Sequence, residues 1–165
     1  MKYYMIKRKS TGLETITPPP INANYWGTRE NKRIEVKTKK SLSGQYLPIY
    51  IGKQILINVD AYNVIRKYQM GQQFMYCAFL EQTTGIQRIY LWFNPFKLDC
   101  LHETTQRHPD RTIKKMVLDR EKIGFHKVFL PEDIFEPYLI VDLEILEKLL
   151  CAGVYPIEWE EVECV

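Results

Sequence analysis

Two stretches of the chain repeat one order of side chains: an apolar run, a Val-Asp pair, apolar positions at helical spacing, then a glycine. In the first, residues 55 to 59 run into Asp60, and Ala61, Val64, Ile65 and Tyr68 follow at i, i+3, i+4 and i+7 before Gly71. In the second, Leu139-Ile140-Val141 runs into Asp142, with Leu143, Leu146, Leu149 and Leu150 ahead of Gly153. An acid after a strand-like run suits a helix N-cap, because its carboxylate accepts from the free N–H groups of the first turn. A glycine at the far end suits the C-terminal stop. The spacing therefore predicts two short helices, about 61–70 and 143–152, and a weak internal repeat of strand, cap, helix and turn.

The remaining pattern is β-like. Residues 73 to 81 and 86 to 94 are apolar on both faces and are joined by Gln82-Thr83-Thr84-Gly85, a hairpin expected at the centre of the core. Residues 33 to 39 alternate, with Ile34, Val36 and Thr38 on one face and Arg33, Glu35, Lys37 and Lys39 on the other. Residues 2 to 8 read as a strand, Thr17-Pro18-Pro19-Pro20 as an extended linker, and nothing before residue 60 as helix. Residues 41 to 45 read as a turn, 46 to 51 as extended, 97 to 112 as a polar loop, and 113 to 119 and 128 to 130 as short strands. At the end, Ile157 and Trp159 share one parity while Val162 and Cys164 share the other. A β-bulge at Glu160-Glu161 would reconcile them, turning those four inward and Glu158, Glu160, Glu161 and Glu163 outward. The fold class is α+β: a mixed, largely antiparallel sheet with two short helices and a β-rich N-terminal third. At 165 residues a single domain is expected, with 1–52 a basic β-rich segment and 53–165 the α+β core.

Charge changes the picture more than composition does. The net value of +3 conceals a sorted chain. Residues 1 to 55 hold eleven Lys/Arg against three Asp/Glu, residues 56 to 128 eleven against seven, and residues 129 to 165 a single Lys148 against ten acids. Concentrated like charge steers oppositely charged surfaces, so the asymmetry is an argument about partners. Four carboxylates on one strand face need a cationic partner, supplied either by another protein or by the chain's own basic third. The 13% aromatic content suits cores and interfaces alike. Cys77, Cys100, Cys151 and Cys164 form no Cys-x-x-Cys pair and read as reduced thiols; no apolar run reaches membrane-spanning length, and a cytoplasmic protein is expected.

Chemistry-bearing groupings are sparse. Cys100-Leu101-His102 with His108 matches no standard zinc spacing, so no metal or other cofactor is expected. A nucleophilic pair of Cys100 with His102, His108 or His126 satisfies only the general rule that such groups meet in space, and a small enzyme with a Cys/His or carboxylate site is one alternative. Phosphate loops, H-E-x-x-H, G-x-S-x-G and dinucleotide fingerprints are missing from the sequence. Asp119-Arg120-Glu121 reads as a turn between strands. Lys7-Arg8-Lys9, Lys37, Lys39 and Lys40 with Tyr3, Tyr4, Tyr25 and Trp26 could form a nucleic-acid-binding module, the other alternative, although the acidic end would repel that ligand.

From about residue 95 onward the order of motifs resembles the immunity proteins of bacterial polymorphic toxin systems, of the type numbered eleven. The residues that carry the likeness are Lys97-Leu98-Asp99-Cys100-Leu101, Met116-Val117-Leu118-Asp119 within 113 to 123, and Val128-Phe129-Leu130. The late strand and helix from Leu139 to Leu150, and Ala152-Gly153-Val154 with Ile157-Glu158-Trp159, complete it. Val154-Tyr155-Pro156 departs from the family's small glycine-containing turn, and residues 1 to 52 carry no resemblance. The resemblance implies a non-catalytic immunity protein that binds and neutralises a cognate toxin domain encoded by a neighbouring gene. Acidic surfaces steer onto basic active sites and aromatic anchors supply affinity, so Glu132, Asp133, Glu136, Glu158, Glu160, Glu161 and Glu163, with Tyr138 and Tyr155, are the expected partner-binding residues. Reversing the four glutamates of 158–163 to lysine is expected to leave the protein folded and slow its association.

Overall fold

The computed structural model describes residues 1–7, 33–68 and 70–165. The Thr17–Pro20 linker and the basic and aromatic positions Arg8, Lys9, Tyr25 and Trp26 lie outside the described residues. In chain order these form β1 (Tyr3–Lys7), β2 (Ile34–Thr38), β3 (Ile49–Ile51), β4 (Ile55–Asn58), α1 (Val59–Ile65), β5 (Gln73–Glu81), β6 (Gln87–Asn94), β7 (Lys97–Leu98), β8 (Gln106–Arg107), β9 (Ile113–Lys115), β10 (Val117–Leu118), α2 (Arg120–Ile123), β11 (Val128–Pro131), β12 (Leu139–Asp142), α3 (Leu143–Cys151) and β13 (Glu158–Cys164). The α+β class holds, with mostly antiparallel pairing divided between two large sheets and a small ribbon. One sheet runs β10-β13-β1-β12-β11-β7, the other β2-β5-β6-β4-β3, and β8 pairs with β9 alone.

Both strand-to-helix units form, and each opens on a capping side chain. Asp142 sits at extended φ/ψ and accepts from the Ile145 N–H, as the sequence predicts. In the first unit the cap is Asn58, whose Oδ1 accepts from Ala61 N at 2.9 Å, two residues ahead of the expected Asp60. Helix α1 consequently starts at Val59 and ends at Ile65, shorter than the 61–70 span; Asp60 stands in its first turn, where its charge still suits the helix dipole. Helix α2 is a third, single-turn helix in place of the expected turn: Asp119 accepts from the N–H groups of Glu121 and Lys122 and starts it. The supposed loop at 97–112 contains β7 and β8.

The two units face each other. Helices α1 and α3 are in contact, and one buried cluster joins Ala61, Ile65, Leu91 and Phe93 of α1 and the five-stranded sheet to Ile6, Leu139, Ile145 and Leu149 of the six-stranded sheet and α3. The hairpin β5–β6 lies at the middle of its sheet and is buried on both sides near Phe93, in keeping with its doubly apolar pattern. On the outer face of that sheet, Leu42 and Tyr46 cover Met75, Cys77, Phe79 and Trp92. On the outer face of the six-stranded sheet, Tyr3, Met5, Phe129, Ile140 and Val162 pack beneath Cys100, Met116, Leu118 and Ile123.

The Leu42–Tyr46 cover is clasped by a buried carboxylate. Glu81 accepts from Leu42 N and from the Thr83 hydroxyl, both at 2.9 Å, while Arg88 Nε donates to Leu42 O at 2.6 Å. The backbone N–H of Leu42 is the main reason the Glu81 carboxyl titrates below its ordinary range. A carboxylate with a depressed folded value contributes stability that is fully present above the ordinary range and is lost as pH falls through that folded value. Glu81→Gln should therefore be less stable than wild type at about pH 7, with the gap closing by about pH 3; urea unfolding at the two pH values measures it. A gap that stays constant would refute the charge-based account of the clasp.

Candidate partner-binding surface

The acidic terminal strand is in register with the first strand of the chain. Tyr3 pairs with Val162, Tyr4 with Glu161, Met5 with Glu160, Ile6 with Trp159 and Lys7 with Glu158, without a slip. The expected β-bulge at Glu160-Glu161 is thus missing from this ladder, and the four glutamates do not share a face. Strand alternation puts Glu158 and Glu160 on the side of Tyr3, Met5 and Val162, and Glu161 and Glu163 on the other side with Trp159. Trp159, expected inward, is 45% exposed. The reason is position in the sheet: β10 pairs with Glu163 and Cys164, and among the described residues the first half of β13 has no strand on that side. An edge segment need not bury one parity throughout, and charges along it hinder strand addition by another chain.

Three of the four glutamates meet lysines of this same protein. Lys2 lies 2.9 Å from Glu161, Lys7 pairs with Glu160, and Lys115 lies 2.6 Å from Glu163. Lys2 is held above its ordinary value chiefly by its hydrogen bond to Glu161. All these side chains are substantially exposed, so each pair is screened and contributes little alone. Intramolecular compensation thus accounts for Glu160, Glu161 and Glu163, whereas Glu158 forms no ion pair among the described residues.

Glu132, Asp133, Glu136, Tyr138 and Glu158 collect at one end of the six-stranded sheet. Ile6 pairs with Leu139 and Lys7 with Glu158, so the position beyond Ile6 lies between Tyr138 on one side and Glu158 on the other. Tyr138 donates to the Glu136 carboxylate; burial, that hydrogen bond and the nearby charges of Glu136 and Glu160 all push its hydroxyl well up. Glu132 and Asp133 precede it in the same β11–β12 connection, and Tyr155, 75% exposed, stands three residues before Glu158. Glu161 and Glu163 are not part of this group and run toward the opposite end. Sequence reading missed Phe135, 69% exposed at the crest of the connection. Its available signal was the Pro131–Pro137 bracket around Glu-Asp-Ile-Phe-Glu.

A cleft of about 520 Å³ opens beside this end, between the β3–β4 turn and the end of β6 on one wall and the β11–β12 connection on the other. Trp92, Phe135 and Tyr138 line it together with Lys53, Glu132 and Asp133. A smaller hollow of about 380 Å³ on the far flank is lined by Arg107, Arg111, Asp133, Ile134 and Phe135.

The Cys/His candidate fares differently. Cys100 is fully buried, and burial pushes its thiol up to about 12, which leaves almost no thiolate at neutral pH. His102 Nδ1 lies 2.8 Å from the Thr104 hydroxyl in its own turn. Cys77 is likewise buried and raised to about 11, while Cys151 is the exposed thiol. Among the described residues there is no group of three His, Cys, Asp or Glu placed to hold a metal ion, and no helix long and apolar enough to cross a membrane. No family pattern matches the chain, and no curated protein matches it either.

Proposed function

We propose that this protein is a non-catalytic binder of the immunity-protein kind, which neutralises a cognate toxin domain encoded by a neighbouring gene in the cytoplasm of its producer. The observation that carries the reading is the meeting of Glu132, Asp133, Glu136, Tyr138 and Glu158 at one sheet end, with Phe135 exposed there. Glu132, Asp133, Glu136 and Glu158 form no ion pair among the described residues, and carboxylates grouped in this way suit a basic partner. The partner surface is accordingly drawn at this end, and β13 beyond Glu160 belongs to the fold. Lys7, counted toward a nucleic-acid surface from sequence, is engaged by Glu160, which favours the toxin-binding reading over that alternative.

Co-expression with the product of the neighbouring gene tests the reading, and a stable complex that abolishes the toxin's effect is expected. In that complex the triple variant Glu132→Lys, Asp133→Lys, Glu158→Lys should associate about 10- to 1000-fold more slowly at low salt, with the difference shrinking as salt is raised. Failure of the wild-type protein to bind would overturn the function; an unchanged association rate in the variant would overturn the placement of the surface.

A further inference from the structure

The connection between β11 and β12 is short, outward-facing and held from every side. Glu132 N donates to Leu98 O at 2.8 Å at its start, and the Arg107 guanidinium donates to Asp133 O at 2.8 Å in its middle. Ile134 turns inward onto the buried cluster beneath the sheet, and Tyr138 ties Glu136 at the end. Proline at both borders fixes φ where the segment leaves and re-enters the sheet. Asp133 adopts φ 57, a left-handed conformation that aspartate tolerates better than most residues and that turns the chain sharply. The outcome is that Phe135 stands 69% exposed between two hollows, with Glu132, Asp133 and Glu136 around it.

An exposed aromatic ring on a mobile loop would be a liability; on a braced loop it is an anchor. Its ordering entropy is settled before binding, so more of the contact energy remains as affinity. Resting on the proposed function, we propose that the 132–137 connection is a pre-organised insertion loop: Phe135 enters an apolar pocket of the toxin domain whose rim carries Lys or Arg. The cleft on the Glu132 side of the ring gives that rim room to close around it. Arg107 is a positioning residue, since its guanidinium bonds a backbone carbonyl of the loop.

The test uses the full chain and the complex with the neighbouring gene's product. Phe135→Ala should melt like wild type, because the ring is exposed, yet dissociate at least about 30-fold faster. Arg107→Ala should leave Phe135 in place, speed amide exchange across 132–137 in the free protein, and weaken binding by a smaller factor. Retained wild-type affinity in Phe135→Ala would overturn the insertion loop and leave the toxin-binding function standing. Rapid exchange of the loop in the free wild-type protein would overturn pre-organisation, and a wild-type protein that binds nothing overturns loop and function together.

Discussion

Phe93→Ala should cost about 3–5 kcal/mol, a large part of the roughly 5–15 kcal/mol that keeps an ordinary domain folded. Phe93 is 1% exposed and stacks on Phe74 with ring centroids 4.7 Å apart and planes 7° from parallel. It belongs to the cluster in which the two sheets and helices α1 and α3 meet. Truncation therefore removes apolar contacts that both halves share, and the backbone of the central hairpin leaves the cavity little room to collapse. The expected fall in Tm is about 6–20 °C, at about 2–4 °C per kcal/mol for a chain of this size. A single cooperative transition at the lower temperature is the expected melt. Two separated transitions would show instead that the sheets unfold independently and that the shared cluster does not couple them.

The elements that set this core were largely legible in the sequence because they are local. A doubly apolar hairpin and two capped amphipathic helices announce themselves within ten residues, through periodicity and cap chemistry. The misplaced start of α1 shows the limit of local information: Asn58 and Asp60 both cap well, and pairing of Asn58 with Tyr90 across β4 and β6 decides between them. Helix α2 is a single turn, too short to display a period. Topology was illegible because β1 lies between β12 and β13, a pairing across nearly the whole chain that no local pattern encodes. The sorted charge did carry a trace of it, since Lys2, just before β1, and Lys7, its last residue, meet the acids of β13.

The candidate surface divides in the same way. Charge density and residue type point to the acidic and tyrosine positions, of which Glu132, Asp133, Glu136, Tyr138 and Glu158 converge. Phe135 escaped because its segment has neither alternation nor helical spacing; its exposure follows from the Arg107 brace and the inward turn of Ile134, which are tertiary facts. The expectation of a bulge rests on the change of apolar parity between Ile157/Trp159 and Val162/Cys164, and it fails because Trp159, on the part of β13 that β10 does not pair, stays half exposed and needs no inward parity.

Changing Glu158, Glu160, Glu161 and Glu163 together to lysine is now expected to strike the fold before it touches any partner. Three of these carboxylates lie against Lys2, Lys7 and Lys115, so reversal replaces three attractions by three repulsions along the pairing of β13 with β1 and beside β10. Like charges placed opposite one another on neighbouring strands oppose pairing, and here they would act on the strand that closes the six-stranded sheet. The variant should melt several degrees below wild type, by less than Phe93→Ala, and the deficit should narrow as salt is raised from low to high. Adding Lys2→Glu, Lys7→Glu and Lys115→Glu to the reversed chain should recover most of the lost Tm, because the same pairs then form with signs exchanged. Recovery without restored toxin binding would separate the two roles of acid in this protein, with β13 holding the sheet together and the 132–138 connection with Glu158 meeting the partner. A reversed variant that melts like wild type at low salt would mean that the three lysine contacts carry no stability, and the acids of β13 would return to the candidate partner surface.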